Sequence, residues 1–162
     1  MSIQTLTIRP ARESDVAAIF DMIHELAVFE KLEHQVVANA ALLQQALFGA
    51  RPACEALVGT ENGVAVTFAL FFHNFSTFLC QKGLYLEDLY VRQEARGNGY
   101  GRQMLAALAR LALERACGRF EWSVLDWNDN AINFYRNVGA DVMPDWRICR
   151  VTGSALTHLS DG

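Results

Sequence analysis

The chain has 162 residues, of which 52% are hydrophobic, and its formal net charge is −4. This length suits one well-filled core and is short for two ordinary domains, so we expect a single domain over residues 1–162. The acidic balance, with a pI near 5.5, argues against a broad basic face for nucleic acid. No apolar run approaches the roughly 18 residues of a membrane helix, so we expect no membrane span.

The cysteines and histidines give no sign of a disulfide framework or a metal site. The four cysteines are widely spaced without a Cys-x-x-Cys pair, and residues 1–10 lack the apolar core of a secretory leader. We therefore expect free thiols and a cytoplasmic location. His24-Glu25 begins a zinc-protease motif, but Val28 occupies the position of its second histidine. The prediction is that no metal is bound.

Apolar periodicity predicts three elements in the first third of the chain. Alternating residues indicate an opening strand over Leu6–Pro10, which ends at proline. Ser14 or Asp15 then caps a helix, in which apolar residues recur at three- and four-residue steps over Val16–Ala27. A second helix is predicted over about Ala38–Phe48.

A hairpin and a buried strand follow. Asn62-Gly63 is a strong signal for a tight hairpin turn, and it separates predicted strands over Ala56–Thr60 and Val64–Phe72. The next strand is Leu84–Val91. The later predicted elements are a helix of about 16 residues ended by Gly118, a strand Phe120–Leu125, a helix Asn130–Val138 with Gly139 as C-cap, and weaker strands Arg147–Val151 and Ala155–Leu159 in a terminal hairpin. This order indicates a mixed α/β domain.

The segment from Arg96 to Gly101 is the clearest functional signal. Gly97, Gly99 and Gly101 lack side chains, so their N–H groups can approach a ligand closely and adopt positive φ angles freely. The loop opens onto the N-terminus of the long helix, where unsatisfied amides and the positive end of the helix dipole favour an anion. We expect a phosphorylated cofactor to bind there.

Three loop chemistries compete for this segment. A phosphate-binding NTPase loop needs Lys-Ser or Lys-Thr after its last glycine, and Arg102-Gln103 stands there instead. A dinucleotide loop needs Gly-x-Gly-x-x-Gly and an acid about 20 residues further on. Asp126 suits the second requirement, whereas the glycine spacing does not suit the first. The third pattern, Arg-x-x-Gly-x-Gly, resembles the acetyl-CoA loop of the GNAT superfamily of N-acetyltransferases.

Further motifs extend this resemblance over nearly the whole chain and narrow it to the spermidine/spermine acetyltransferase branch. They are Ile8-Arg-Pro-Ala, Glu25-Leu-Ala-x-Phe-Glu30, Leu84-Tyr-Leu-Glu-Asp88, Arg96-Gly-x-Gly-x-Gly101, Trp127-Asn-x-x-x-Ile-Asn-Phe-Tyr135 and Asp145-Trp-Arg147. Val124-Leu-Asp-Trp-Asn128 is more similar to the thialysine-acetylating branch, because the polyamine branch tends to have Glu before Trp. Both branches stay open.

The resemblance implies a single-domain α/β fold. Its sheet would be mixed and mostly antiparallel, flanked by helices, with a splayed and bulged central strand. The bulge would free amides near Leu89 to Val91, one to polarise a thioester carbonyl and others to hold the pantetheine arm. The resemblance also implies acetyl-CoA as co-substrate and a homodimer.

Site residues carry over from the resemblance in two groups. Those placed at the cofactor are Leu89, Tyr90, Val91, Arg96, Gly97, Asn98, Gly99, Tyr100, Gly101, Arg102, Asn128 and Tyr135. Those placed at the substrate amine are Glu30, Glu33, Glu87, Asp88, Asp126 and Trp127, and such acids would steer and hold a multivalent cation. Simpler roles stay open for four of them: Asn128 as a helix N-cap, Arg102 as an exposed first-turn residue, and Glu30 and Glu33 as a solvated helix end.

Acetylation of an amine needs a base for the ammonium proton and an acid for the departing thiolate. The resemblance assigns Glu87 as base, although Glu87 and Asp88 point to opposite faces of a regular strand and the pattern also fits a solvated sheet edge. It assigns Tyr135 as acid, because a hydroxyl pKa near 10 lies only slightly above that of a thiol, near 8.5. The alternative for Tyr135 is a core aromatic on the helix face of Ile132 and Val138.

We therefore expect an acetyl-CoA-dependent N-acetyltransferase acting by direct attack in a ternary complex. Its acceptor would be a primary amine of a small cationic substrate, either a polyamine or a thialysine-like amino acid. The alternatives are a peptide or protein N-acetyltransferase and a non-catalytic acetyl-CoA sensor.

Overall fold

One sheet of five strands follows the order of the chain in the computed structural model, which describes residues 6–162. The strands are β1 Thr7–Pro10, β2 Glu55–Glu61, β3 Val64–Ser76, β4 Gln81–Val91 and β5 Phe120–Trp122. The first four pair antiparallel, and β5 runs parallel to β4. The predicted mixed, mostly antiparallel sheet is confirmed.

Five α-helices accompany the sheet within the same residues. They are α1 Val16–Glu30, α2 Ala40–Phe48, α3 Tyr100–Glu114, α4 Asp129–Asn137 and α5 Gly153–Ser160. Helix α2 begins two residues later than predicted, because the side chain of Asn39 caps it by accepting the Leu42 N–H at 2.9 Å. No helix in residues 6–162 has the length and apolar character needed to cross a membrane.

The chain divides into two compact units. The first extends to Ser123 and contains the whole sheet with α1, α2 and α3. The second is Val124–Gly162 and contains α4 and α5. The sequence-predicted site residues are therefore distributed over both units.

Both faces of the sheet in the first unit are covered by helices. Helices α1 and α2 pack on one face, where Ile19 and Met22 meet Val58 and Phe68 in a common core. Helix α3 contacts β2, β3 and β4. It lies on the opposite face, since the Arg115 guanidinium directly after α3 lies 5.8 Å from the centre of the Phe71 ring. Burial of these apolar side chains is the main stabilising contribution to this unit.

A partly buried ion pair connects β1 to the start of α1. Arg9 donates two hydrogen bonds to Asp15, at 2.6 and 2.9 Å, and the Arg12 N–H donates a third at 2.7 Å. The Arg9 hydrogen bonds hold the pKa of Asp15 below its ordinary value. This pair sets the start of the helix whose last residue is Glu30.

The predicted terminal hairpin is wrong. Residues 147–151 form no strand, and Gly153–Ser160 form α5 in place of the second strand. Leu156 and Leu159 are three residues apart, which suits one face of a helix, and Thr152 holds the N-cap position. In so short an apolar run, periodicity alone does not separate helix from strand.

Several element ends also differ from the predictions. β5 ends at Trp122 and not at Leu125. Helix α3 ends at Glu114 and not at Gly118, because Ala116 adopts a left-handed φ of 54°. The predicted turn at Asn62-Gly63 is confirmed, with positive φ at both residues.

Candidate active site

Strand β4 contains a bulge at Glu87. Leu86 pairs with Phe71 and Asp88 pairs with Leu70, so Glu87 is an extra residue in the register with β3. The bulge lies just beyond the end of β5, whose pairing with β4 stops at Leu86. The predicted bulged and splayed central strand is therefore confirmed.

The bulge brings Glu87 and Asp88 to the same face of the sheet. Asp88 lies opposite Leu70, which packs against the core under α1 and α2. Glu87 acts electrostatically on the thiol of Cys54, which packs against that same core. Leu86 lies two residues before Asp88 but faces the other side of the sheet, because it pairs with Phe71 of the α3 face. The regular alternation that would send the two acids to opposite faces does not hold here.

Asp88 is half-buried and has two acidic neighbours. Burial, together with the charges of Glu87 and Glu30, raises its pKa to about 6. Burial also raises the pKa of Glu30, the last residue of α1. Glu30, Glu87 and Asp88, called the acid cluster below, join the end of α1 to the bulge of β4.

Glu87 is the exposed member of the acid cluster. It lies near Cys54, whose thiol pKa is raised first by burial and then by Glu55 and Glu87. Cys54 and His73 help to line a cavity of about 560 Å³ in the first unit. The cavity therefore lies beside the acid cluster and has room for the organic part of a small amine.

The edge of β4 beyond the bulge presents amides that have lost their neighbouring strand. The Arg92 N–H donates to the Val66 carbonyl at 2.9 Å, so Arg92 and, by alternation, Tyr90 direct their amides toward β3. Leu89 and Val91 direct theirs to the opposite side, on which β5 has already ended. Of the three residues predicted here, Leu89 and Val91 therefore offer their N–H groups, whereas Tyr90 belongs to the β3 ladder.

The glycine-rich loop has a conformation that favours glycine. Gly97 and Gly99 have φ values of 83° and 73°, and a Cβ at either position would project into open space. The first hydrogen bond of α3 runs from the Gln103 N–H to the Gly99 carbonyl, at 3.1 Å. The N–H groups of residues 100–102 therefore have no acceptor within the helix. This geometry fits a phosphate group.

Two side chains of the loop are held by the protein itself. The buried Tyr100 hydroxyl donates to Glu61 at 2.7 Å, and the Asn98 amide donates to the Ala95 carbonyl at 3.2 Å. A ligand at this loop therefore meets mainly backbone.

Arg96 connects the loop to the end of α1. Its Nε donates to the Val91 carbonyl at 3.0 Å, and its guanidinium lies 5.2 Å from the Phe29 ring centre and 5.4 Å from that of Tyr90. Because Phe29 precedes Glu30 directly, Arg96 links the loop to the acid cluster.

The second unit contains the remaining predicted residues. The Asn128 side chain accepts the Ala131 N–H at 3.2 Å, so its role as the N-cap of α4 is confirmed. Tyr135 lies on the same helix and is half-buried, while Asp126 and Trp127 are exposed. The N-cap therefore fixes the first turn of the helix that carries Tyr135.

Not every predicted residue of the first unit lies with the acid cluster. Glu33 is exposed in a short 3₁₀ helix, Glu33–Gln35, after α1. Arg102 is exposed in the first turn of α3, as its simpler interpretation states. Nothing in the sequence placed Phe29 or Cys54 at the site, although Phe29 lies inside the motif Glu25-Leu-Ala-x-Phe-Glu30. Cys54 carries no local signal, because its place depends on the bulge. Among residues 6–162, no three His, Cys, Asp or Glu side chains are grouped to hold a metal ion.

Comparison with known sequences identifies a family. The chain matches the model of the acetyltransferase (GNAT) family over residues 18–140. It is 36% identical to an L-ornithine N5-acetyltransferase of Arabidopsis thaliana, covering 94% of this chain and 86% of the relative. It is 37% identical to a thialysine N-epsilon-acetyltransferase of Mus musculus, covering 94% and 96%.

Comparison with solved structures supports the fold. An integron cassette protein from the mobile metagenome of V. cholerae superposes with a TM-score of 0.81 at 23% identity, covering 97% of this chain and 98% of that one. The predicted α/β acetyltransferase fold is confirmed.

Because Asp88 is partly buried, we expect the free energy of unfolding to depend on pH. Its pKa in the folded protein is about 6, above the ordinary 3.8, so the folded state loses stability as pH rises through this interval. Asp88→Asn removes the buried charge and should raise the free energy of unfolding by about 1–2 kcal/mol at about pH 8. Below about pH 4 the variant and wild type should be equally stable. Urea denaturation at both pH values measures the difference.

Asp21→Asn, which removes an exposed carboxylate of α1, is the matched control and should change stability little at either pH. An equal stabilisation by Asp88→Asn at both pH values would contradict the burial of an Asp88 charge.

Proposed function

Because the chain belongs to the acetyltransferase (GNAT) family and is an N-acetyltransferase that acts on amines, we propose that it acetylates a primary amine of a small cationic substrate from acetyl-CoA. The reaction is direct attack in a ternary complex. The observation that carries this proposal is the acid cluster, which lies at the bulge where β4 separates from β5. An ammonium group suits such a cluster, because each neighbouring negative charge stabilises it.

The glycine-rich loop is the proposed site for the phosphates of acetyl-CoA. Its support is the positive φ of Gly97 and Gly99 and the free N–H groups at the start of α3. The side chains of Asn98 and Tyr100 are engaged elsewhere, so these residues contribute their backbone. Arg96 mainly holds the loop in place, since its guanidinium packs on two aromatic rings.

The edge amides of β4 and the tyrosine of α4 carry the remaining roles. The Leu89 or Val91 N–H donates to the thioester carbonyl oxygen and stabilises the negative charge that develops there. Tyr135 donates a proton to the departing thiolate, and Asn128 fixes the helix that presents it. Glu87 is the base expected from the resemblance, and its neighbour Asp88 lies on the same face.

Amino-acid amines are the preferred substrate class within this proposal. The names of the two relatives give ornithine and thialysine as what those proteins acetylate. Both are small molecules with a terminal amine, which suits the acid cluster and the cavity beside it. Polyamines present the same ammonium group and are the second class.

Turnover with a panel of amines tests the proposal. Thiol release from acetyl-CoA is measured with ornithine, thialysine, lysine, spermidine, spermine and putrescine. We expect turnover with at least one of them, and Tyr135→Phe should lower kcat about 100-fold or more, because the thiolate loses its proton donor. Acetyl-CoA affinity, measured by calorimetry, should be unchanged.

Tyr85→Phe is the matched control, because it removes a tyrosine hydroxyl that contacts only Ser123 in the hydrogen bonds of the first unit. It should leave kcat within about threefold of wild type. Absence of turnover on every amine, with tight acetyl-CoA binding, would overturn the small-amine proposal. A peptide substrate or a non-catalytic acetyl-CoA sensor would then be the favoured interpretation.

Two glycine variants separate cofactor binding from backbone strain. Gly99 and Gly63 both have positive φ, 73° and 83°, and a Cβ at either would meet open space. Gly99→Ala and Gly63→Ala should each lower the free energy of unfolding by about 1 kcal/mol. Only Gly99→Ala should also weaken acetyl-CoA binding, by about tenfold or more, because its methyl group enters the phosphate site. Equal affinity of both variants would place the phosphates elsewhere.

A homodimer in the cytoplasm completes the proposal. Residues 141–162 expose several large apolar side chains, which in a monomer would be unusual as a group. The four cysteines are free thiols, which suits a reducing compartment. Light scattering should give twice the monomer mass of 18.1 kDa. Trp146→Asp should shift the protein toward monomer, whereas Phe78→Ser, at an even more exposed residue of the first unit, should not.

A further inference from the structure

The two adjacent carboxylates of β4 have unequal surroundings. Glu87 is exposed, as expected for the extra residue of a bulge. Asp88 is half-buried, opposite Leu70 and two residues before the buried Tyr90. A carboxylate that is partly withdrawn from water binds a proton more readily than an exposed one. The bulge therefore leaves Glu87 in water and withdraws Asp88 from it, while both acids stay on one face.

The titratable groups around Asp88 come from three parts of the chain. Glu87 on its own strand and Glu30 from α1 are both negative and act on it directly. Cys54, before β2, is a thiol whose pKa is itself raised by burial and by Glu87. Glu87 and Glu30 each favour the protonated form of Asp88.

Cations near this face have other partners. The Arg96 guanidinium lies over the rings of Tyr90 and Phe29, and Arg92 lies 3.6 Å from Glu25. The acid cluster therefore keeps an excess of negative charge that a substrate cation is suited to balance.

We propose that Asp88 accepts the proton of the substrate ammonium, and that Glu87 and Glu30 position this ammonium beside it. The assignment rests on the proposed function and moves the role of base from Glu87 to its neighbour. Asp88 is the catalytic residue in this step, and the other two acids are positioning residues.

The step balances in atoms and charge. The Asp88 carboxylate takes one proton from R–NH₃⁺, and the lone pair of the neutral amine forms the C–N bond to the thioester carbonyl carbon as the C–S bond breaks. The thiolate takes a proton from the Tyr135 hydroxyl, and the second proton of the nitrogen restores that hydroxyl. Asp88 then releases its proton to solvent, so the products are the amide, the thiol and one proton.

Proton affinity favours Asp88 for this task. A base works best when its pKa lies near the working pH, and burial together with the two acids raises the pKa of Asp88 to about 6. Relative to a carboxyl group at the ordinary value of 3.8, this makes proton transfer from an ammonium about a hundredfold more favourable. The group remains largely ionised at neutral pH, and therefore able to accept a proton.

The test compares the isosteric variants Asp88→Asn and Glu87→Gln in kcat/KM for the amine between about pH 5 and pH 9. In the wild type, kcat/KM should rise through an apparent pKa near 6. In Asp88→Asn, kcat/KM should fall by about 100-fold or more near neutral pH and should not show this rise. Its residual activity should instead increase about tenfold per pH unit, because solvent then has to supply the neutral amine.

Glu87→Gln should keep the rise but move it to lower pH, because one negative neighbour of Asp88 is gone. It should raise KM for the amine more than it lowers kcat. Asp21→Asn is the control for loss of a surface carboxylate and should keep the wild-type profile. Acetyl-CoA affinity of each variant confirms that it is folded, and Asp88→Ser replaces Asp88→Asn if the latter does not fold.

The outcomes separate this assignment from the proposed function. If the wild type is active and Asp88→Asn keeps its pH profile of kcat/KM, the assignment of Asp88 is wrong and the proposed function stands. If instead Glu87→Gln loses the rise in kcat/KM near pH 6, Glu87 is the base. A wild type that acetylates no amine would overturn the proposed function and this assignment with it.

Discussion

The bulge at Glu87 is the constraint on which the rest of the site depends. A single extra residue in β4 changes which side chains face which helix, because side chains along a strand alternate with a strict period of two. Leu84 and Leu86 are buried before the bulge, and Tyr90 is buried on the α1 face after it. In a regular strand of the same sequence, Asp88 would share the face of Leu86 and enter the apolar layer under α3, where an unpaired charge is costly. The bulge therefore allows a carboxylate in the middle of a buried strand.

The end of β5 beside the bulge is the second feature that shapes the site. Because β5 stops opposite Leu86, the amides of Leu89 and Val91 lose their strand partner at the same place where the acids change face. Pairing with β3 continues through the bulge to the end of β4, so the strand stays held on its other edge. The Arg96 side chain then contacts the Val91 carbonyl and the ring of Phe29, which ties the glycine-rich loop to the end of α1. The edge amides, two of the three acids and the glycine-rich loop therefore share one short stretch of backbone, residues 87–101.

How well each part of the structure could be predicted depends on whether local sequence or tertiary contacts determine it. Local signals fixed α1, α3 and the turn at Asn62-Gly63, since long apolar periodicity and a positive-φ dipeptide act within a few residues. The position of the bulge is set by pairing with β3, so no window of β4 alone contains it, and only the resemblance to relatives suggested that it exists. The same holds for Cys54 and Phe29, which become neighbours of the site through tertiary contacts. Helix α5 was missed because its short apolar run fits either period.

The acid cluster also gives a physical reason why the proposed base, half-buried Asp88, suits a cationic substrate. In the free protein, Glu30 and Glu87 raise the proton affinity of Asp88, and the cluster destabilises the fold through repulsion among like charges. An ammonium group placed among the three acids offsets both effects while it is charged, and once it has lost its proton the two other acids again favour protonated Asp88. Substrate binding would thus release any proton held by Asp88 and prepare the base at the moment it is needed. A second ammonium group on the same molecule would gain further from the cluster, which gives a physical reason for a preference for multiply charged amines.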